Sequence, residues 1–258
     1  MRALRAAWRA LRVVVHVLHG MVIVALRFPS LDATGRQARI AWWSAGLLAA
    51  LGVGLRVQGT FRPGATLLVI NHVSWLDIAA VHAACPRARF VSKADVRHWP
   101  LLGWLIGAVG TLFIERERKR DALRVVHQMA QALDAGDTVA VFPEGTTGDG
   151  TALLPFHANL LQAAIATTTP VQPVALRYAE PGHAVSPTVS WVGATTLAHS
   201  IWMIASARGI EVSVSALGAR GSAHADRRAL AHRLRQDIEE ALADDGPTSE
   251  AAADVAAA

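Results

Sequence analysis

The sequence predicts an α/β protein: a mostly buried mixed sheet of about seven strands, flanked by helices and preceded by an apolar helical hairpin. Short, apolar and often β-branched segments alternate with helix-length segments from residue 57 onward. A chain of 258 residues is long enough for one large core but short for two ordinary domains. Hydrophobic residues make up 52% of the chain and charged residues only 17%, so part of the surface is expected to face lipid.

The segments with the length and composition of strands or helices divide the chain into three parts. The predicted strands are residues 66–71, 89–92, 111–114, 138–142, 171–178, 188–192 and 211–216. The predicted helices are residues 76–84, 100–107, 122–134, 159–166 and 225–242. The hairpin then covers residues 1–56, the main domain residues 57–243, and an alanine-rich tail, expected to be disordered, residues 244–258.

The first predicted helix combines a basic stripe with an apolar surface. Steps of three and four residues place the basic side chains on one side of a helix: Arg2, Arg5, Arg9, Arg12, His16 and His19. The remaining surface carries Leu4, Trp8, Leu11, Val14, Val15 and Leu18. A cationic stripe on an apolar helix suits the plane of an anionic membrane surface. A soluble helix with a solvated basic face has the same pattern and remains the alternative.

A second apolar stretch completes the hairpin. The chain breaks around Pro29, which biases its predecessor away from helix, and residues 40–55 follow with Trp42 near their start. The first apolar run, residues 13–26, is shorter than the roughly 20 residues of a comfortable span, and no clear signal-peptide cleavage site follows it. We therefore expect residues 1–56 to anchor the protein by dipping into one leaflet.

Composition also disfavours several classes of site and function. Cys85 is the only cysteine, so neither an intrachain disulfide nor a cysteine-based zinc site is expected, and a reducing, cytoplasm-facing location fits. The histidines show no metal-ligand spacing such as H-E-x-x-H, so no metal is expected. The formal charge of +5 comes without a nucleic-acid recognition motif, so no nucleic-acid partner is expected. No G-x-S-x-G elbow supports a serine hydrolase.

The most specific chemical signal is His72, followed five residues later by Asp77. The histidine leaves a predicted strand and the aspartate opens a predicted helix, at the strand end where α/β folds place chemistry. The carboxylate would fix the imidazole tautomer, leaving the other ring nitrogen to take a proton from a hydroxyl. Ser74 and Asp77 also have the spacing of a helix capping box, which is the competing structural interpretation.

Three further blocks follow predicted strands. The second block ends at Arg116, whose guanidinium can make a bidentate contact with phosphate or carboxylate. The charged run around it, residues 115–120, is also typical of a solvated helix start. Gly145 lets the backbone approach a ligand, and neighbouring amides can bind an oxyanion, although a plain turn has the same composition. The last block contains Pro173 and also fits a buried core strand.

Together the four blocks resemble the glycerolipid acyltransferase family, in particular the bacterial 1-acyl-glycerol-3-phosphate acyltransferases. The family's His-x4-Asp block matches residues 72–77, and its G-x-x-F-I-x-R block matches residues 110–116. Its F-P-E-G-T block matches residues 142–146, and its V-x-P-V strand matches residues 171–174. The likeness covers roughly residues 57–217, with the four blocks in the family's order.

The resemblance implies direct transfer of a fatty acyl group from a thioester to a lipid hydroxyl, without an acyl-enzyme. The acyl thioester of coenzyme A or of acyl carrier protein is then the co-substrate, and no other cofactor is expected. His72 would be the general base and Asp77 its orienting group. The residues implied to line the acceptor site are Gly110, Phe113, Arg116, Glu144, Gly145 and Thr146. The implied location is the cytoplasmic face of the bacterial inner membrane, with membrane lipids and the lysolipid as partners.

The acceptor is where this sequence departs from the family pattern. The resemblance implies 1-acyl-sn-glycerol-3-phosphate, giving phosphatidic acid. An arginine usually follows the family's third block, and Thr147 stands there in this chain, which weakens the case for a phosphate-bearing acceptor. A related branch acylates lyso-ornithine lipid, which lacks phosphate, and this acceptor is the alternative. A non-catalytic lipid-binding protein is a second alternative, but it has no use for a paired His72 and Asp77.

Overall fold

The structure, a computed structural model, describes residues 2–93, 102–114 and 119–244, and the predicted α/β fold is confirmed. The strands are β1 (Val53–Gly59), β2 (Thr66–Ile70), β3 (Ala88–Lys93), β4 (Leu112–Ile114), β5 (Thr138–Val141), β6 (Val171–Ala179) and β7 (Ile210–Ala216). The helices are α1 (Arg2–Leu26), α2 (Ala33–Leu51), α3 (Asp77–Ala84), α4 (Leu102–Ala108), α5 (Lys119–Asp134), α6 (Gln162–Ala166), α7 (Leu197–Ser206) and α8 (Arg227–Asp244). Short 3-10 turns at Phe28–Ser30 and Ala158–Leu161 precede α2 and α6.

The strands form a seven-stranded mixed sheet in the order β1-β7-β6-β2-β5-β3-β4. The strands β2 to β6 are mutually parallel, whereas β7 runs antiparallel to β6 and pairs in parallel with β1. The carboxyl ends of β2, β5, β3 and β4 therefore meet at one edge of the sheet. Side chains from the loops that follow these strands can therefore lie close together at this edge.

Helices cover both faces of the sheet. One core layer packs α1, α2, α3 and α7 against the sheet, and the other packs α5, α6 and α8 against its opposite face. Consecutive strand residues alternate between the two layers, as Leu67 and Leu68 of β2 do. All five residues of β2 are buried because this strand lies at the centre of the sheet and is covered on both faces.

Three elements differ from the sequence prediction. The predicted strand at residues 188–192 is wrong: it is a turn and an extended segment outside the sheet. The strand that completes the sheet is instead β1, which starts within the segment assigned to the hairpin and crosses residue 56. α7 was not predicted. The predicted tail, apart from Asp244 at the end of α8, lies outside the described residues.

α1 packs against α2, α4 and α7 with its apolar stripe facing outward. Its buried positions, Ala6, Val13, Gly20 and Ile23, are spread along the whole helix. The exposed large apolar side chains form the outer stripe: Leu4, Trp8, Leu11, Val14, Val15, Leu18, Val22 and Leu26. By length and composition α1 could cross a membrane, and only 17% of its most apolar window is buried.

Part of the basic stripe of α1 faces the protein. Arg5 donates to the carbonyl of Ser206 at 2.5 Å, and Arg9 donates to the carbonyl of Ala207 at 2.7 Å. These carbonyls lie at the C-terminal end of α7, where the helix dipole favours a cation. Part of the predicted basic stripe therefore binds α7, and its contact with an anionic membrane surface stays a prediction.

Hydrogen bonds between His16 and Trp43 hold α1 against α2. His16 Nε2 lies 2.7 Å from the Trp43 carbonyl oxygen, and Trp43 Nε1 donates to the His16 carbonyl at 3.1 Å. Glycines make room for both rings, because a Cβ on Gly20 would lie 2.2 Å from the Trp43 ring and one on Gly46 would lie 2.5 Å from the His16 ring. The predicted hairpin is thus a tightly fitted pair of helices.

Candidate active site

His72 lies in the loop between β2 and α3, at the sheet edge where the parallel strands end. Its neighbour Asn71 fixes where that loop leaves the sheet. The Asn71 side-chain amide donates to the Leu176 carbonyl at 2.8 Å, and its oxygen accepts from the Leu176 N–H at 2.7 Å. The buried Asn71 side chain therefore extends the pairing of β2 with β6 beyond the last residue of β2.

Asp77 holds His72 through one carboxylate oxygen. Asp77 Oδ2 accepts from His72 Nδ1 at 2.8 Å, and also from the N–H groups of Val73 at 2.7 Å and Ser74 at 3.0 Å. The Asp77 side chain is fully buried, whereas the His72 side chain is 18% exposed. Because Nδ1 donates to the carboxylate, Nε2 is the ring nitrogen left to accept a proton.

The capping-box interpretation is met only in part. The Asp77 carboxylate accepts from the Ser74 N–H, as in a capping box, but Ser74 Oγ has no hydrogen-bond partner among the described residues. The same carboxylate oxygen therefore shapes the turn before α3 and orients the imidazole. The structural and the chemical interpretation of the motif are compatible.

Phe142 and Glu144, from the loop after β5, support His72 from two directions. The Phe142 ring stacks on the His72 ring, with centroids 3.9 Å apart and planes at 11°. Glu144 accepts from the His72 N–H at 2.7 Å and from the Leu154 N–H at 2.8 Å. Burial raises the pKa of Glu144, and the two amides oppose that shift. Glu144 thus links the loop after β2 to the loop after β5.

Comparison with known proteins assigns the chain to a family. A sequence profile described as Acyltransferase matches residues 54–177. The lyso-ornithine lipid O-acyltransferase of Pseudomonas aeruginosa is 40% identical over 188 residues, which cover 70% of this chain and 72% of that protein. The 1-acyl-sn-glycerol-3-phosphate acyltransferase of Neisseria meningitidis serogroup B is 37% identical over 205 residues, covering 78% and 79%. The chain belongs to the acyltransferase family.

A solved structure shows the same fold. The crystal structure of the 1-acyl-sn-glycerophosphate acyltransferase PlsC from Thermotoga maritima superimposes with a TM-score of 0.71, over 95% of this chain and 97% of that one. The sequences are 18% identical, so this likeness concerns the fold. It includes the mixed sheet and the flanking helices described above.

The acyltransferase third block forms a tight turn at Gly145. Its φ of +73° lies in the left-handed region, and a Cβ there would come within 3.0 Å of the His157 ring. The Gly145 N–H donates to the Phe142 carbonyl at 3.1 Å, so the turn itself uses this amide. Thr146 is exposed beside it. The assignment of both residues to the acceptor site stays a prediction.

Thr147, at the position where the acyltransferase pattern has arginine, takes part in an internal contact. Its hydroxyl donates to the Trp191 carbonyl, in the segment that was predicted as a strand. The next residue, Gly148, donates from its N–H to the His72 carbonyl at 2.8 Å. These two hydrogen bonds hold the loop after β5 against Trp191 and against the loop that carries His72. Residue 147 contributes a hydroxyl to this contact but no positive charge.

The second block contributes mainly to structure in the described residues. Gly110 has a φ of +81°, and its carbonyl accepts from Arg89 at 2.9 Å, which fixes the turn between α4 and β4. Phe113 lies in β4, paired with Ser92 of β3. Arg116 lies outside the described residues. The acceptor-binding role that family resemblance implies for these three residues stays a prediction.

Two other titratable side chains, at the C-terminal end of α3, do not belong to the site. His82 is buried, its ring nitrogen lies 3.0 Å from the Ala88 carbonyl oxygen, and burial lowers its pKa to about 4. Cys85 is fully buried, and burial raises the pKa of its thiol. With a pKa of about 4 the buried His82 is a weak base, and a buried, protonated thiol is a poor nucleophile, so neither group suits proton abstraction or nucleophilic attack. His72, in contrast, is partly exposed.

Sequence reasoning missed the contributions of Asn71 and of the Phe142 ring. Both residues stand inside the quoted blocks, but neither an asparagine before a histidine nor a phenylalanine before a proline reveals its partner. The partners of Asn71 and of the ring come from other strands and loops, 105 residues away in the first case. Only the sheet order shows that these segments are neighbours.

Proposed function

We propose that this acyltransferase moves a fatty acyl group from an acyl thioester to the free hydroxyl of a lysolipid, with His72 as the general base. The observation that carries the proposal is the contact between His72 Nδ1 and Asp77 Oδ2, which leaves Nε2 of a partly exposed imidazole as the proton acceptor. The buried carboxylate also stabilises the imidazolium that forms when the proton is taken.

The reaction proceeds by direct attack. Nε2 takes the hydroxyl proton as the acceptor oxygen attacks the thioester carbonyl, giving a tetrahedral intermediate. The attack forms the new C–O bond, and collapse of the intermediate restores the carbonyl, breaks the C–S bond and releases the thiolate, which takes the proton back from His72. Coenzyme A or acyl carrier protein supplies the thioester. Cys85, the only cysteine, is buried and remains protonated, so it does not carry the acyl group.

The acceptor assigned here is 1-acyl-sn-glycerol-3-phosphate, with lyso-ornithine lipid as the alternative. The Neisseria meningitidis relative, named for the first acceptor, matches 78% of this chain, whereas the Pseudomonas aeruginosa relative, named for the alternative, matches 70%. The alternative is favoured by the higher identity of 40% and by Thr147, which removes a positive charge expected near a phosphate.

An acceptor panel tests this proposal. Purified protein is supplied with acyl-coenzyme A or acyl carrier protein thioester and with either lysolipid, and both thiol release and the lipid products are measured. Thiol release is expected only with a lysolipid, and phosphatidic acid is expected as the main product. The matched variant Thr147→Arg restores the family residue and is expected to raise the preference for the phosphate-bearing acceptor.

The outcomes separate the candidates. If ornithine lipid is the main product, the acceptor is lyso-ornithine lipid and the proposed 1-acyl-sn-glycerol-3-phosphate is wrong. Fatty acid released without lysolipid identifies a hydrolase. Lipid binding with no thiol release identifies a non-catalytic lipid-binding protein, and the proposed transfer is then wrong.

The same proposal places the protein on the cytoplasmic face of the bacterial inner membrane, with α1 in the plane of an anionic surface. Each helix that packs against α1 carries an exposed tryptophan, the residue type enriched at membrane interfaces: Trp42 on α2, Trp104 on α4 and Trp202 on α7. α1 contacts the domain along its whole length, which supports an in-plane helix over a spanning one. Its core layer also contains α3, which carries Asp77, so the lipid-facing surface and the site share one face of the sheet.

A further inference from the structure

Tyr178 is the only tyrosine of the chain and lies fully within the core, 1% exposed. The last pair between β2 and β6 joins Ile70 to Val174, and β6 then continues to Ala179. β6 therefore runs alongside the loop that carries His72. Side chains alternate along a strand, so Tyr178 faces the same core layer as Val174 and Leu176, which is the layer that contains α3.

The Asp77 carboxylate has one satisfied and one unsatisfied oxygen. Oδ2 accepts three hydrogen bonds, whereas Oδ1 is buried and has no partner among the described residues. A buried carboxylate oxygen without a hydrogen-bond donor destabilises the folded state, because burial removes its hydrogen bonds to water and no protein group replaces them.

The hydroxyl of Tyr178 is the complementary group. It too is buried and has no hydrogen-bond partner within the described part of the chain. The Tyr178 ring lies in the core layer that contains α3, the helix that begins at Asp77. Burial and the Asp77 charge both raise the pKa of Tyr178 well above its usual value. The hydroxyl is therefore protonated at any working pH and can act only as a neutral donor toward the carboxylate.

We propose that Tyr178 is a positioning residue that donates to Asp77 Oδ1 and so fixes the carboxylate that orients His72. With donors on both oxygens the carboxylate cannot rotate about its Cβ–Cγ bond, and Nδ1 of His72 keeps a fixed acceptor. Tyr178 acts through Asp77 and does not touch the lysolipid or the thioester. This inference rests on the proposed function, because the carboxylate matters for the rate only if His72 is the base.

Tyr178→Phe removes the hydroxyl and keeps the buried ring. We expect kcat to fall about ten- to a hundredfold, which is what a lost hydrogen bond to a charged group is worth, and KM to stay within about twofold. The matched control is Thr66→Val, which removes a fully buried hydroxyl at the opposite end of β2. It is expected to lower thermal stability and to leave kcat unchanged.

A double-mutant cycle separates a positioning role from a merely structural one. If Tyr178 acts through Asp77, Tyr178→Phe costs about tenfold or more in the wild-type background and almost nothing in an Asp77→Asn background. An equal loss in both backgrounds overturns the positioning role.

Because the chain has one tyrosine, tyrosine labelled with carbon-13 at Cζ gives a single resonance that reports this contact without any activity assay. Asp77→Asn is expected to shift that resonance, and an unchanged resonance overturns the contact. If Asp77→Asn keeps full activity while the resonance shifts, the proposed base is wrong and the contact with Asp77 stands. If activity falls and the resonance does not move, the base stands and the role of Tyr178 is wrong.

Discussion

His72→Ala is expected to lower kcat by about 10²–10⁴-fold, because it removes the general base of the proposed mechanism. The fold should survive, since the His72 side chain is partly exposed and its backbone N–H can still donate to Glu144. The measurement is the initial rate of lysolipid-dependent thiol release at saturating thioester, with the midpoint of thermal unfolding recorded on the same preparation.

Asp77→Ala is expected to cause a loss of at least the same order. It withdraws the acceptor from Nδ1 and also leaves the amides of Val73 and Ser74 unsatisfied, so its thermal stability should fall as well. His183→Ala is the matched control: this histidine is exposed in a turn and should keep the wild-type rate. Full activity in a clean, folded His72→Ala preparation refutes the mechanism.

A double substitution on α1, Leu11→Asp with Leu18→Asp, is expected to abolish stable binding to anionic vesicles. Both leucines belong to the outer stripe and are more than half exposed. Burying one leucine is worth roughly 1.5–3 kcal/mol, so losing two lowers the partition coefficient at least about a hundredfold. Two new carboxylates facing anionic lipid lower it further. Flotation with vesicles containing anionic phospholipid measures the bound fraction.

Leu123→Asp is the matched control for the vesicle experiment. Leu123 is more exposed than Leu11 or Leu18, at 74%, but it lies on α5, which packs against the opposite face of the sheet. This variant should bind vesicles like the wild type. Equal binding by the α1 double variant and the wild type would show that the outer stripe does not contact lipid.

The His72–Asp77 pair could be predicted because its geometry is local. Five residues that leave a strand and enter a helix bring the two side chains together across one turn, whatever the rest of the fold does. The same reasoning placed the block after β5 nearby, since parallel strands end at the same edge. The support that Phe142 and Glu144 give His72 depends on β2 and β5 being neighbours, which only the sheet order shows.

β1 was not predicted because residues 53–55 close the apolar stretch assigned to the hairpin, and because the strand pairs with a partner far along the chain. Its partner β7 begins at Ile210, and no local pattern in residues 53–59 indicates that pairing. Gly52, with a φ of +78°, ends α2 and marks the change from helix to strand. The predicted strand at residues 188–192 has suitable residues, but Trp191 bonds to loops, donating to the Val73 carbonyl and accepting from the Thr147 hydroxyl.

The orientation of α1 could not be read from its amphipathic pattern. The pattern shows which side chains share a side of the helix, but it does not show which side meets the protein. Arg5 and Arg9 turn inward because the carbonyl groups at the end of α7, about 200 residues later in the chain, accept their hydrogen bonds. The apolar stripe is left outside, which in water would be unfavourable and at a membrane is not.

The most direct test of base-assisted transfer is rapid mixing of the purified protein with acyl thioester alone, followed by addition of lysolipid. We expect no burst of thiol before the lysolipid is added, and afterwards one thiol released for each diacylated lipid formed. A burst equal to the enzyme concentration in the absence of lysolipid would show an acyl-enzyme, and would contradict direct attack by an alcohol that His72 deprotonates.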